Sequence, residues 1–76
     1  MNKIDTIQEI FRDYFDEPTM VITEDTTVND IEEWDSIAQM NLIVALEKEF
    51  NMKFKIDEIA KASSVSVMLE IIKTRI

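Results

Sequence analysis

The sequence predicts an all-α fold, a small four-helix bundle made of three main helices plus one short helix, with a long first loop. Three observations predict it. Apolar residues recur at three- and four-residue steps in separate segments, the spacing that puts them on one side of a helix. Glycine is absent and Pro18 is the single proline, so little interrupts those segments. Strand-like alternation occurs in one short piece, Met52 to Ile56, too isolated to build a sheet.

In the first segment, Ile4, Ile7, Phe11, Tyr14 and Phe15 mark an amphipathic helix from about Lys3 to Phe15. Asn2 caps it, with Asp5 in a capping-box-like position, and Pro18 stops it from continuing. Asp16 to Trp34 is a long connection for a chain of this size. Met20, Val21, Ile22, Val28, Ile31 and Trp34 give it enough apolar side chains to be pinned on the core. The second main helix runs from Ser36 to Phe50, free of Gly and Pro and rich in good helix formers. Its apolar stripe is Ile37, Met40, Ile43, Val44, Leu46 and Phe50. Asp35 is its N-cap, and Asn51 is placed to close it in the left-handed region where a Gly is usual. Asp57 is expected to cap the short helix, Glu58 to about Ala62, with Ile59 and Ala60 turned inward. Ser63-Ser64 caps the last helix, whose inner face is Val65, Met68, Leu69, Ile72 and Ile76, with Lys73 and Arg75 at its negative end. Residues 1–76 thus form a single domain, with an expected stability of roughly 4–11 kcal/mol.

Composition narrows the function. Sixteen acidic residues against 8 basic ones give a net charge of -8, which disfavours nucleic acid and anionic membranes and favours partners with basic docking faces. There is no Cys and no His, so disulfides, thiolate metal sites and the commonest general base are missing. The longest apolar run, Leu42 to Leu46, is too short to span a bilayer. The start, Met1-Asn2-Lys3-Ile4-Asp5, lacks the pattern of a secretory signal. A cytoplasmic monomer is expected. Asp25-Thr26-Thr27-Val28-Asn29-Asp30 suggests a calcium loop, but Asp30 and Ser36 stand where that loop needs Gly and a bidentate Glu. No metal site and no catalytic residue emerges. Ser36 has no His to activate it, and Lys48, twelve residues along the same helix, lies about 18 Å away.

What remains is the start of the second main helix. Ser36 is its first residue, so a phosphate on the hydroxyl would meet unpaired N–H groups and the positive end of the dipole. Asp35-Ser36-Ile37, at the start of a long mid-chain helix in an acidic four-helix pattern, resembles the acyl carrier protein family, whose signature is Asp-Ser-Leu there. The resemblance covers nearly the whole chain, including the long first loop with Ile22, Thr26-Thr27-Val28 and Asp30-Ile31. It implies a stand-alone, non-catalytic carrier. A phosphopantetheinyl transferase, with Mg²⁺, would move 4′-phosphopantetheine from coenzyme A onto Ser36, engaging the motif residue Asp35, and the arm's thiol would hold acyl groups as thioesters.

By the same resemblance Ile37, Glu33, Glu47 and Glu49 belong to the surface read by the transferase and by acyl-activating or acyl-transferring enzymes. Ile37, Met40, Val44, Phe54, Ile59 and Met68 are expected first of all in the core, and the resemblance implies that some of them could also line a cleft that shelters an acyl chain. The chain departs from the family in lacking the usual Gly before Asp35, where Glu33-Trp34 stands, and in having Ala38 and Asn41 where acids are common, with Lys48 breaking the acidic surface. The changes at Ala38, Asn41 and Lys48 suggest a specialised biosynthetic pathway. Aminoacyl or D-alanyl carriers share the serine and differ in cargo. Peptidyl carriers usually have Gly-Gly before the motif, and a helical interaction module would carry no prosthetic group.

Overall fold

The computed structural model describes residues 2–75. Four helices follow in order: α1 (Lys3–Phe15), α2 (Ser36–Phe50), α3 (Ile56–Lys61) and α4 (Val65–Arg75). α1 starts where Asn2 Oδ1 accepts the Asp5 N–H at 3.0 Å, satisfying one of the donors that a helix start leaves unpaired. Its Ile7 and Phe11 are fully buried. Both α1 and α2 end on a non-glycine residue in the left-handed region, Asp16 (φ 54°) and Asn51 (φ 52°). Short polar side chains tolerate that conformation, and their N–H groups bond back to Arg12 and Glu47 carbonyls.

α1, α2 and α4 enclose the core. Ile7 and Phe11 meet Ala38, Leu42, Ile43 and Leu46 of α2 and Val65, Met68, Leu69 and Ile72 of α4. Ile22, Ile31 and Trp34 from the first loop complete it, with Met52 and Phe54 from the extended piece after α2. The first loop is therefore ordered, as its apolar content predicts, although Val21 points outward at 72% exposure. Side chains of α1 hold it: Ile22 N–H donates to Gln8 Oε1 at 2.9 Å, and Arg12 Nε donates to the Met20 carbonyl at 2.6 Å. Farther along, Val28 N–H donates to Ser63 O and Val65 N–H to Thr26 O. Loop and α4 start thus form one isolated antiparallel bridge, Thr27 to Ser64.

Two expectations about side-chain placement are corrected. On α2, Ile37, Met40 and Val44 face solvent at 71%, 51% and 44% exposure. The apolar arc of α2 is wider than its neighbours can cover, and the half that packs includes the small Ala38. The short helix begins at Ile56 rather than Glu58, because the Glu58 carboxylate reaches back to accept the Lys55 N–H at 2.8 Å. Lys55, not Asp57, is its cap position. Ile59 is half-buried, but Ala60 is exposed, and Ala62 just past the helix is the residue that packs inside. Ser64 Oγ accepts the Val67 N–H, so α4 starts as expected; the inner-face assignment of Ile76 lies outside the described residues.

α3 contains no fully buried residue, and polar contacts hold it. Glu58 pairs with Arg75 of α4, which also donates to the Lys53 carbonyl. The Glu58 carboxyl sits below its usual pKa, chiefly through the Lys55 N–H; partial burial opposes this and Arg75 reinforces it. A carboxyl lowered in the folded state contributes stability above its unfolded pKa and loses it as pH falls through the folded value. Glu58→Ala is therefore expected to be less stable than the parent at neutral pH, and the gap should shrink below about pH 4. Denaturant titrations of both proteins across that range check this.

Candidate functional site

The site is organised by the residues just before α2. Trp34 is buried, with its ring edge-on to Phe11 at 5.1 Å between centroids. A buried indole needs an acceptor for its N–H, and Gln39 Oε1 supplies one at 2.7 Å. With Trp34 fixed, Asp35 is extended (φ -104°, ψ -170°) and its Oδ1 accepts the Ala38 N–H at 2.8 Å. Ser36 follows as the first helical residue and is exposed. Neither it nor Ile37 has a helical carbonyl one turn back to bond, so both N–H groups face the region around the serine hydroxyl, where the helix dipole favours an anion.

The missing glycine proves unnecessary. Among the described residues only Asp16 and Asn51 have positive φ, so Glu33 and Trp34 approach Ser36 in backbone open to any residue. Two tight bonds, Trp34 N–H to Ile31 O and Asp35 N–H to Glu33 O, make the turn.

Beside Ser36 lies a surface cleft of about 420 Å³ lined by Val28, Trp34, Gln39, Met40, Ile59 and Ala60 among others. Its volume is within the range of small-ligand sites. Of the residues expected at a recognition surface, Ile37 is exposed beside Ser36, and Glu33 and Glu49 are exposed. Glu47 is half-buried and accepts the Phe54 N–H at 2.8 Å, holding the extended piece against α2. Asn41 donates to the Tyr14 hydroxyl at 3.2 Å, and Ala38 is buried at 1% exposure. The cleft residues Trp34 and Gln39 were not assigned to the site from sequence. Their signal was present in the need of a buried indole for an acceptor within a helical turn or two.

The site is thus an exposed serine heading a helix, capped by aspartate and flanked by an apolar cleft on a four-helix bundle. Residues 5–72 match the family described as phosphopantetheine attachment site. The chain is also similar to the solution NMR structure of the holo acyl carrier protein from Geobacter metallireducens. The TM-score is 0.88 and the identity 37%, over 99% of this chain and 86% of that one. No match is found among curated proteins. The chain belongs to the acyl carrier protein family. It is a non-catalytic carrier whose prosthetic group is covalently attached 4′-phosphopantetheine. The exposed hydroxyl, the first-turn N–H groups and the open cleft beside them suit a phosphate-linked arm.

The cap gives a direct test of the local geometry. Asp35→Ala should lower stability by about 1 kcal/mol, while Asp35→Asn, which keeps an acceptor oxygen, should lose clearly less. Chemical denaturation of the three proteins distinguishes these outcomes.

Proposed function

We propose that this chain is an acyl carrier in which Ser36 bears the phosphopantetheine arm, installed by a phosphopantetheinyl transferase, and that it serves a specialised biosynthetic pathway. The observation that carries the reading is Ser36 itself: exposed, first in α2, with its aspartate capping the same turn. The arm supplies the thiol that the Cys-free chain lacks. The protein supplies position and recognition. Asp35 keeps the helix start formed, and the unpaired N–H groups of the first turn favour the phosphodiester anion.

Support for a specialised role lies on α2. Where acids would offer charge to a basic docking face, Ala38 is turned into the core and Asn41 is bonded to Tyr14. Lys48 is exposed among the remaining acids. The outward face instead presents Ile37, Met40 and Val44, so partners of this carrier read a more apolar surface. General attraction persists through the net charge of -8, and the transferase has Asp35, Glu33 and Glu49 to engage. A cytoplasmic setting, where coenzyme A and such enzymes meet, suits this role.

Intact-mass measurement after incubation with coenzyme A and a promiscuous transferase tests the attachment. The parent should gain one phosphopantetheine and Ser36→Ala should fold and gain none; modification of the Ser36→Ala protein would refute the assignment.

The pathway reading is tested in a reconstituted fatty acid synthase against a housekeeping carrier, where this protein should load well and elongate poorly. Asn41→Glu restores one exposed acid and should raise elongation roughly 1.5- to 5-fold, the worth of one surface charge pair. Ala38→Asp is no equivalent test, because its carboxylate would be buried without a partner. Equal elongation by the parent and the housekeeping carrier would overturn the specialised role.

A further inference from the structure

The side chain of Gln39 has a role that neither a surface nor a core position explains. Its Nε2 donates to two main-chain carbonyls at the far end of α3, Ile59 O at 3.2 Å and Ala62 O at 2.8 Å. Its Oε1 accepts the Trp34 indole N–H at 2.7 Å. Both amide hydrogens and the amide oxygen are thus engaged, and one residue joins the approach to Ser36, the first turns of α2 and the end of α3. The last carbonyls of a helix lack the usual partners within it; here Gln39 supplies a donor to the Ala62 carbonyl and adds to the Ala62 N–H already on Ile59 O. α3 depends on such ties, since it contributes no fully buried side chain, and its opposite end is held by Glu58 with Arg75. The cleft beside Ser36 is bounded by the residues of this bridge, Trp34, Gln39 and Ile59.

We propose that Gln39, oriented by Trp34, is a specificity-determining latch: it locks α3 onto α2, keeps long aliphatic cargo out of the bundle, and restricts the carrier to short or polar acyl groups held in the surface cleft. The proposal rests on Ser36 bearing the arm. Its physical basis is an asymmetry in hydrogen bonding. For a long chain to pass between α2 and α3, the helices must part and the Gln39 bonds must break. A hydrocarbon offers neither donor nor acceptor, so the indole N–H and the Ala62 carbonyl would be left unpaired in a partly buried setting, the costly way to lose a hydrogen bond, while Ile59 O would keep only the Ala62 N–H. A short acyl group has no need to enter. The cleft, with Val28, Met40, Ile59 and Ala60 on its walls, gives such a group apolar contact from the surface without parting the helices.

The test uses holo protein whose arm carries an acetyl or a dodecanoyl group through an amide, so that hydrolysis plays no part. Parent, Gln39→Ala and Trp34→Phe are each compared between their own two cargoes, which cancels any general loss of stability. Peptide mapping first locates the arm; an arm off Ser36 refutes the attachment assignment before the latch is tested. Two quantities are then read: the thermal midpoint, and the methyl chemical shifts of the buried Leu42, Leu46 and Ile72. In the parent, dodecanoyl should change neither relative to acetyl. In Gln39→Ala, dodecanoyl should raise the midpoint by about 4 °C or more, a shift that a modest stabilisation produces in a domain of this size, and should move the core methyls. Should Gln39→Ala fail to fold, Trp34→Phe, which keeps a ring beside Phe11 and removes the indole donor, is expected to show the same response. Core methyls that move in the dodecanoyl parent as they do in the variant would overturn the latch. So would folded variants that respond no more than the parent.

Discussion

Burial of Trp34 is the constraint from which the geometry around Ser36 follows. The indole fills the space against Phe11 at the junction of loop and α2, and the backbone on its C-terminal side has little freedom left. Asp35 is carried into the extended conformation that an N-cap requires, and the next residue is turned to solvent. The same ring imposes a chemical demand, because its N–H would be orphaned in the interior. Meeting that demand through Gln39 extends the order from the loop to α3. A packing requirement in the core is thereby converted into a defined surface at the serine.

A chain without glycine must make its reversals by other means, and this one makes them with side chains bonded to backbone. Asp16 and Asn51 take the left-handed positions. Gln8 and Arg12 hold the first loop, Thr27 N–H is met by Asp30 Oδ2 at 2.8 Å, and Glu47 holds the stretch after α2. Several of the acids that make up the charge of -8 therefore have structural partners. Ion pairs are few: the described residues hold two, Arg75 with Glu58, which ties α3 to α4, and Arg12 with Glu9, an exposed pair of a weakly stabilising kind. The remaining acids keep the molecule strongly negative toward its partners.

Much of this architecture was legible in the sequence because the signals are local. α1 and α2 have the expected bounds, and Asn2, Asp35 and Asn51 stand at their ends as their side chains and φ tolerance dictate. Ser36 at the first position of α2 was readable for the same reason. What escaped depends on which neighbours arrive. Periodicity gave α2 an apolar arc but not the half of it that α1 and α4 would cover, so Ile37, Met40 and Val44 were placed inside. Glu58 shifted the start of α3 through a bond to a residue outside the expected helix. The Thr27–Ser64 bridge and the Gln39 contacts join positions far apart in the chain, and no short pattern announces them.

Trp34 is the one tryptophan in the chain, and it lies two residues before Ser36 with its indole buried and hydrogen-bonded. Indole emission responds to hydration and to hydrogen bonding at the ring nitrogen. The intrinsic fluorescence of the molecule is thus a single-site signal from the neighbourhood of the serine, free of any second emitter of its kind. Docking, arm installation and loosening of the α2 start can each be followed optically, in real time, on the unlabelled protein.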